Sequence, residues 1–185
     1  MSRQTSITFL LGPSGVGKST LGAWLAEDCD ALHMEIDQYP SQDGIDAEGL
    51  REEWEAFLAG ASAADLVAVI RRKISGANAS GSVLSFPSGL VFSAGHLDSL
   101  AKARVIVVVL YGTAADCINA FLKREVEHRR VPAANLVEHW ISNNRDSYVA
   151  FSRPEWAPFR VSAFREGKRV SRAKLVAEVR RRVGA

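Results

Sequence analysis

A doubly wound α/β domain with a parallel sheet is the fold this sequence predicts. Three observations predict it. Short apolar segments alternate with amphipathic helical ones. One segment, Val105–Tyr111, is apolar and β-branched almost throughout, as a strand buried on both faces requires. The first apolar segment runs into a glycine-rich loop that opens a helix. A chain of 185 residues suits one domain, taken here as 1–185.

The elements follow in order. Ser6–Leu11 is short and apolar and stops at Gly12, which reads as a buried strand. Residues 17–28 carry Leu21, Trp24 and Leu25 at helical spacing. Ala31–Asp37 reads as a second strand. Residues 45–59 and 61–74 read as helices, with Leu50, Trp54, Phe57 and Leu58 on one face of the first. Ser82–Phe86 is a third strand, stopped by Pro87-Ser88-Gly89. Val105–Tyr111 is the fourth. Residues 113–129 and 134–151 are predicted helices, broken near Pro132. Phe159–Ala163 is the fifth strand, and 171–183 the last helix, with Leu175, Val176, Val179 and Val183 facing inward.

Composition narrows the class. Apolar residues make up 47% and charged residues 24%, which excludes a wholly disordered chain, a collagen-like chain and a coiled coil. No apolar run approaches the roughly 20 residues of a membrane helix, and Met1–Thr5 does not resemble a secretory signal. The two cysteines, Cys29 and Cys117, make no disulfide framework and have no metal-ligand spacing around them. A cytoplasmic protein with reduced thiols is expected. The formal net charge of +2 does not point to nucleic acid as a partner.

Gly12-Pro13-Ser14-Gly15-Val16-Gly17-Lys18-Ser19 fits the pattern G-x-x-x-x-G-K-[ST], between a strand and a helix as that motif requires. Glycines let the backbone curl around a phosphate with its N–H groups inward. The following helix presents its positive dipole end to the same anion. Lys18 supplies a charge for the β- and γ-phosphates, the Ser19 hydroxyl a ligand for magnesium, and Thr20 closes the loop. A nucleotide, expected as ATP with Mg2+, is the implied ligand.

Glu35 and Asp37 end the second strand two residues apart, so they share a face at the carboxyl end of the sheet. Open α/β sheets bind ligands there. Two acids at that place either hold magnesium waters or accept a proton from a hydroxyl; the alternative is a pair of solvated loop carboxylates.

With these two motifs the chain resembles the small-molecule kinases of the shikimate kinase and gluconate kinase type, within the nucleoside-monophosphate-kinase-like P-loop group. The resemblance covers most of the chain and implies a P-loop NTPase sheet of strand order 2-3-1-4-5 with a helical lid at about 124–134. It gives Glu35 a part in organising magnesium and Asp37 the contact with the acceptor hydroxyl. Gly49-Leu50-Arg51 looks like the helix start whose arginine grips a substrate carboxylate; Arg51 is either that or a surface arginine paired with Glu48 or Glu52. Lys123-Arg124 and Arg129-Arg130-Val131-Pro132 stand where the family has its lid. There Arg124 would pack near adenine and Arg130 would swing onto the transferring phosphate, stabilising charge on its oxygens. Arg145, shortly before Tyr148, matches an arginine that binds the acceptor's anionic group, or else pairs with Asp146 or Glu138. Arg165 lies after the fifth strand, where the family holds adenine.

One departure is plain. Shikimate kinases have three consecutive glycines after the third strand, where this chain has Ser85-Phe86-Pro87-Ser88-Gly89. A different acceptor is expected, and Tyr39, Pro40 and Trp54 suggest a partly aromatic acceptor lid. The resemblance thus implies a magnesium- and ATP-dependent phosphotransferase acting on a hydroxyl of a small anionic metabolite. Two alternatives stand beside it. One is a nucleotide or polynucleotide kinase that uses the basic stretch from Arg165 to Arg182. The other is a non-catalytic ATP-binding switch. The four histidines show no metal-site spacing, and the four tryptophans are expected in the core.

Overall fold

The structure is a computed structural model and describes residues 6–36, 49–128 and 135–183. Its elements are β1 (Ser6–Leu11), α1 (Lys18–Cys29), β2 (Ala31–Glu35), α2 (Arg51–Leu58), α3 (Ala63–Gly76), β3 (Gly81–Ser85), α4 (Ala94–Lys102) and β4 (Val105–Tyr111). Then come α5 (Ala114–Glu127), α6 (Leu136–Ser152), a 3-10 turn (Pro154–Phe159), β5 (Arg160–Ser162), β6 (Phe164–Arg165), β7 (Lys168–Arg169) and α7 (Arg172–Val183). The main sheet has five strands in the order β2-β3-β1-β4-β5, and every pairing in it is parallel. This is the expected P-loop order.

Strand alternation divides the core in two. Ile7, Phe9 and Leu11 of β1 and Val105, Val107 and Val109 of β4 face α2, α3 and α4. Leu10, Val108 and Leu110 face α1, α5 and α7. Because β1 and β4 are buried on both faces, their sequences run apolar without alternation. Three tryptophans sit in the core as expected: Trp54, Trp140 and Trp156. No helix among the described residues is long and apolar enough to cross a membrane.

Several boundaries differ from expectation. The third strand is Gly81–Ser85, not 82–86; Phe86 just beyond it still donates its N–H to the Leu10 carbonyl at 3.1 Å and packs its ring into the aromatic core. The fifth strand begins at Arg160, because Phe159 completes the 3-10 turn. Leu58 stands 37% exposed rather than on the buried face with Trp54 and Phe57. Helix α4 and the β6–β7 hairpin have no counterpart in the sequence reading. Ser93 caps α4 by accepting from the His96 N–H at 3.2 Å, and His96 Nδ1 accepts from the Ser93 N–H at 3.3 Å. That reciprocal pair does for this helix what a glutamate usually does, and it gives His96 a structural task. Glu166 and Gly167, both at positive φ (52° and 71°), turn the hairpin, the pattern of a tight two-residue connection.

Candidate active site

The phosphate loop is built by close backbone approach. Gly12, Gly15 and Gly17 all hold positive φ, at 137°, 82° and 97°. A side chain on Gly12 would strike the Leu110 carbonyl, and one on Gly15 would strike the Cys117 carbonyl and the Phe121 N–H. Glycine is therefore demanded by φ and by space together. The loop is pressed between β4 and α5, and it feeds into α1 with no side-chain cap and no acid in the first turn. The first N–H groups of α1 are thus left for an anion. Ser19 and Thr20 stand exposed at that helix start. The Lys18 ammonium curls back over the loop and donates to the carbonyls of Gly12 at 2.8 Å and Pro13 at 3.1 Å.

Helix α6 braces the loop from outside. Asn144 is buried, and its Oδ1 accepts from the Ser14 N–H at 2.6 Å. Its Nδ2 donates to the Trp140 carbonyl at 3.0 Å, and Trp140 Nε1 donates to the Ser14 carbonyl at 3.3 Å. One helix therefore holds both polar groups flanking Ser14 in place. Neither Asn144 nor Trp140 shows this in the sequence. A polar residue in a helix reads as solvated, and its partner lies 130 positions away.

The sheet supplies the next wall. His33 Nε2 lies 2.9 Å from Ser85 Oγ, and the pair fills the space over Gly22 of α1. Burial lowers the His33 pKa, against the opposing pull of Glu35, and favours the neutral imidazole. Glu35 is exposed at the end of β2, on the same face as His33. Helix α1 runs back along this face, so Ser19, one turn before Gly22, comes toward the level of Glu35. Asp37 lies outside the described residues.

The cations are distributed around this frame. Arg124, near the end of α5, donates from Nε and Nη2 to Glu125 Oε1 at 3.0 and 2.8 Å and lies over the Phe121 ring, 5.3 Å from its centroid. Phe121 itself borders the loop, through its backbone N–H and Cβ beside Gly15. Arg51 is exposed at the start of α2, and Arg145 is exposed on α6 next to Asn144. Arg129 and Arg130 lie outside the described residues. Arg165 is exposed on β6. Arg169, on the facing strand β7, reaches the loop instead, donating from Nη2 to the Gly15 carbonyl at 3.2 Å. Cys117, behind the loop, is buried, and burial pushes its thiol up to about 12, so it stays protonated and unreactive.

No family model and no curated protein sequence matches the chain. Solved structures do match it in shape. Shikimate kinase from Bacteroides thetaiotaomicron superposes with a TM-score of 0.54 at 15% identity, over 97% of this chain and 99% of that one. A shikimate kinase from Acinetobacter baumannii in complex with shikimate gives 0.50 at 19% identity, over 96% and 92%. A sugar kinase from Janibacter sp. HTCC2649 gives 0.51 at 15% identity, over 98% and 95%. With the strand order and the glycine-built loop already in place, these likenesses establish that the chain has a shikimate-kinase-like P-loop kinase fold.

Proposed function

We propose that the protein is a phosphotransferase that moves the γ-phosphoryl of ATP to a hydroxyl of a small, anionic metabolite. The observation that carries this reading is the loop itself. Three glycines at positive φ, the uncapped start of α1 and the Lys18 ammonium lying over the loop carbonyls are the parts a phosphate-binding loop needs. In this reading the residues from Gly12 to Thr20 hold the phosphates, and Lys18 leaves its loop carbonyls to meet their charge. The Ser19 hydroxyl and Glu35 fit a hard cation, being oxygen donors brought toward one level, and a magnesium ion there would neutralise charge on the phosphates. Asp37 accepts the acceptor's proton as its oxygen bonds to phosphorus and the bridge to ADP breaks. Arg51 and Arg145 bind the acceptor's anionic group. Arg124 and Arg165 flank the nucleotide, and Arg130 stabilises the charge on the transferring group.

Part of the basic stretch near the C-terminus is occupied with its own fold. Arg172 pairs with Glu27 and Asp28 of α1, and Arg182 donates to the carbonyls of Pro158 and Arg160. That supports a small acceptor over a polynucleotide.

Two measurements test the reading. Calorimetric titration with MgATP should show binding in the wild-type chain and a loss of about 100-fold or more in Lys18→Ala, with folding intact. Phosphoryl transfer is then followed across a panel of hydroxylated carboxylates and sugars. Equal ATP affinity in Lys18→Ala overturns the phosphate site. Binding without transfer to any acceptor leaves a nucleotide switch in place of a kinase.

A further inference from the structure

Arg169 is a cation that the fold delivers to the phosphate loop and that pairs with no carboxylate among the described residues. It sits on β7, opposite Phe164 of β6. Its guanidinium donates to the Gly15 carbonyl at 3.2 Å and occupies the space that a side chain on Gly17 would fill. It also lies over the Phe164 ring, 5.4 Å from the centroid, a contact that orients the planar group. Phe164 in turn fits against Gly112, whose missing side chain makes room for the ring. The Val170 N–H donating to the Ala163 carbonyl at 2.9 Å closes the base of the hairpin, and the Ala163 N–H donating to the Tyr111 carbonyl at 2.8 Å ties it to β4. Its tight turn at Glu166 and Gly167 fixes the register, so Arg165 and Lys168 share the other face, away from the Phe164 ring.

No carboxylate pairs with Arg169 among the described residues. By contrast, Arg124, Arg172, Arg181 and Arg182 all have one. Partial burial lowers the Arg169 pKa, yet an arginine remains charged at neutral pH. A guanidinium held against a cradle of backbone amides, with no carboxylate beside it among the described residues, has one natural complement, an anion.

Resting on the nucleotide reading above, we propose that Arg169 is a nucleotide-binding residue that closes the outer wall of the phosphate loop and pairs with a phosphate oxygen. The two cations divide the loop between them. Lys18 reaches back to Gly12 and Pro13 at one end, and Arg169 covers Gly15 and Gly17 at the other, beside the open start of α1. Lys18 is the partner of the terminal phosphates in such loops. Arg169 therefore takes the phosphate nearer the nucleoside, which ATP and ADP both carry.

The test compares MgATP and MgADP affinities, by calorimetry, for the wild-type chain, Arg169→Gln and Arg169→Lys, each at two salt concentrations. Glutamine keeps a donor for the Gly15 carbonyl and removes the charge; lysine keeps the charge. Arg169→Gln should weaken ATP and ADP alike by about 10- to 100-fold and flatten the salt dependence, with the melting temperature of the unliganded protein unchanged. Arg169→Lys should recover part of the affinity. Affinities within twofold of wild type in Arg169→Gln overturn this proposal alone. So does loss of folding in that variant, because the guanidinium would then be a structural brace. A wild-type chain that binds neither nucleotide overturns the phosphate-site reading, and this proposal with it.

Discussion

Replacing Asn144 by alanine tests whether the phosphate loop is held in shape before any ligand arrives. The substitution removes the acceptor 2.6 Å from the Ser14 N–H and leaves that donor without its partner. Asn144 is only 2% exposed, so water does not reach the gap freely. An unmade hydrogen bond of this kind costs about 1–3 kcal/mol. For a chain of this length, 2 kcal/mol lowers the melting temperature by about 4–8 °C. The same energy must then be found on binding, because the nucleotide has to order a loop that Asn144 ordered beforehand. ATP affinity should fall about tenfold. Trp140→Phe removes the other half of the brace, the 3.3 Å bond to the Ser14 carbonyl. Alone it should lower stability less than Asn144→Ala does. Because both residues hold Ser14, the double mutant should depart from additivity by about 0.5 kcal/mol or more. Scanning calorimetry and ATP titration of the three variants decide the matter. Asn144→Ala with a melting temperature within 1 °C of wild type and ATP affinity within twofold would refute the reasoning.

Two further outcomes follow from the same frame. Gly15→Ala forces a side chain onto a residue at φ 82° and against the Phe121 N–H at 2.9 Å. It should cost about 2–4 kcal/mol and abolish ATP binding; a stable Gly15→Ala that still binds ATP would mean the loop adopts another path. His33, whose pKa is lowered by burial, is neutral in the folded chain where the unfolded chain takes up a proton. The folded state thus binds fewer protons below about pH 6.5, and stability contributed by this group falls as pH drops through that value. His33→Gln can keep a bond to Ser85 and should flatten urea-unfolding free energies between about pH 7 and 5.5; an unchanged slope would place the titration elsewhere.

What the sequence shows and what it hides divide along the range of the interactions. The phosphate loop is a local object, made of consecutive residues, and its strand–loop–helix context is visible at once. Strands β1 and β4 announce themselves because burial on both faces removes polar residues from their runs. Helix α4 does not, because it is only nine residues long and its apolar face is just Leu97 and Leu100. A serine followed by histidine rather than glutamate also hid its cap. The hairpin strands are two residues each, too short for any periodicity. Arg165 was the natural expectation for a cation after β5. Pairing across the turn instead brings Arg169 to Gly15, 154 positions away. No local pattern encodes such a contact.

The two sides of the sheet are built by different means. The phosphate loop is shaped by backbone, so glycine positions specify it. On the other side of the sheet, Phe9, Trp54, Phe57, Phe86 and Phe92 pack ring against ring, with Trp54 stacked on Phe86 at 5.0 Å and 17°. Trp54 is 3% exposed, and its indole N–H has no partner among the described residues. Such an orphan costs about 1–3 kcal/mol, comparable to what burying a large ring contributes. The cluster therefore stabilises by packing area rather than by polar bonding. Its consequence is positional. Trp54 anchors α2, and Arg51 lies one turn earlier on that helix. Under the proposed function, Arg51 would meet the acceptor from a helix clamped to β1 and to Phe86, not from a pliable glycine loop. Selectivity among acceptors would then depend on where this helix start sits, and repacking the aromatic stack would shift it.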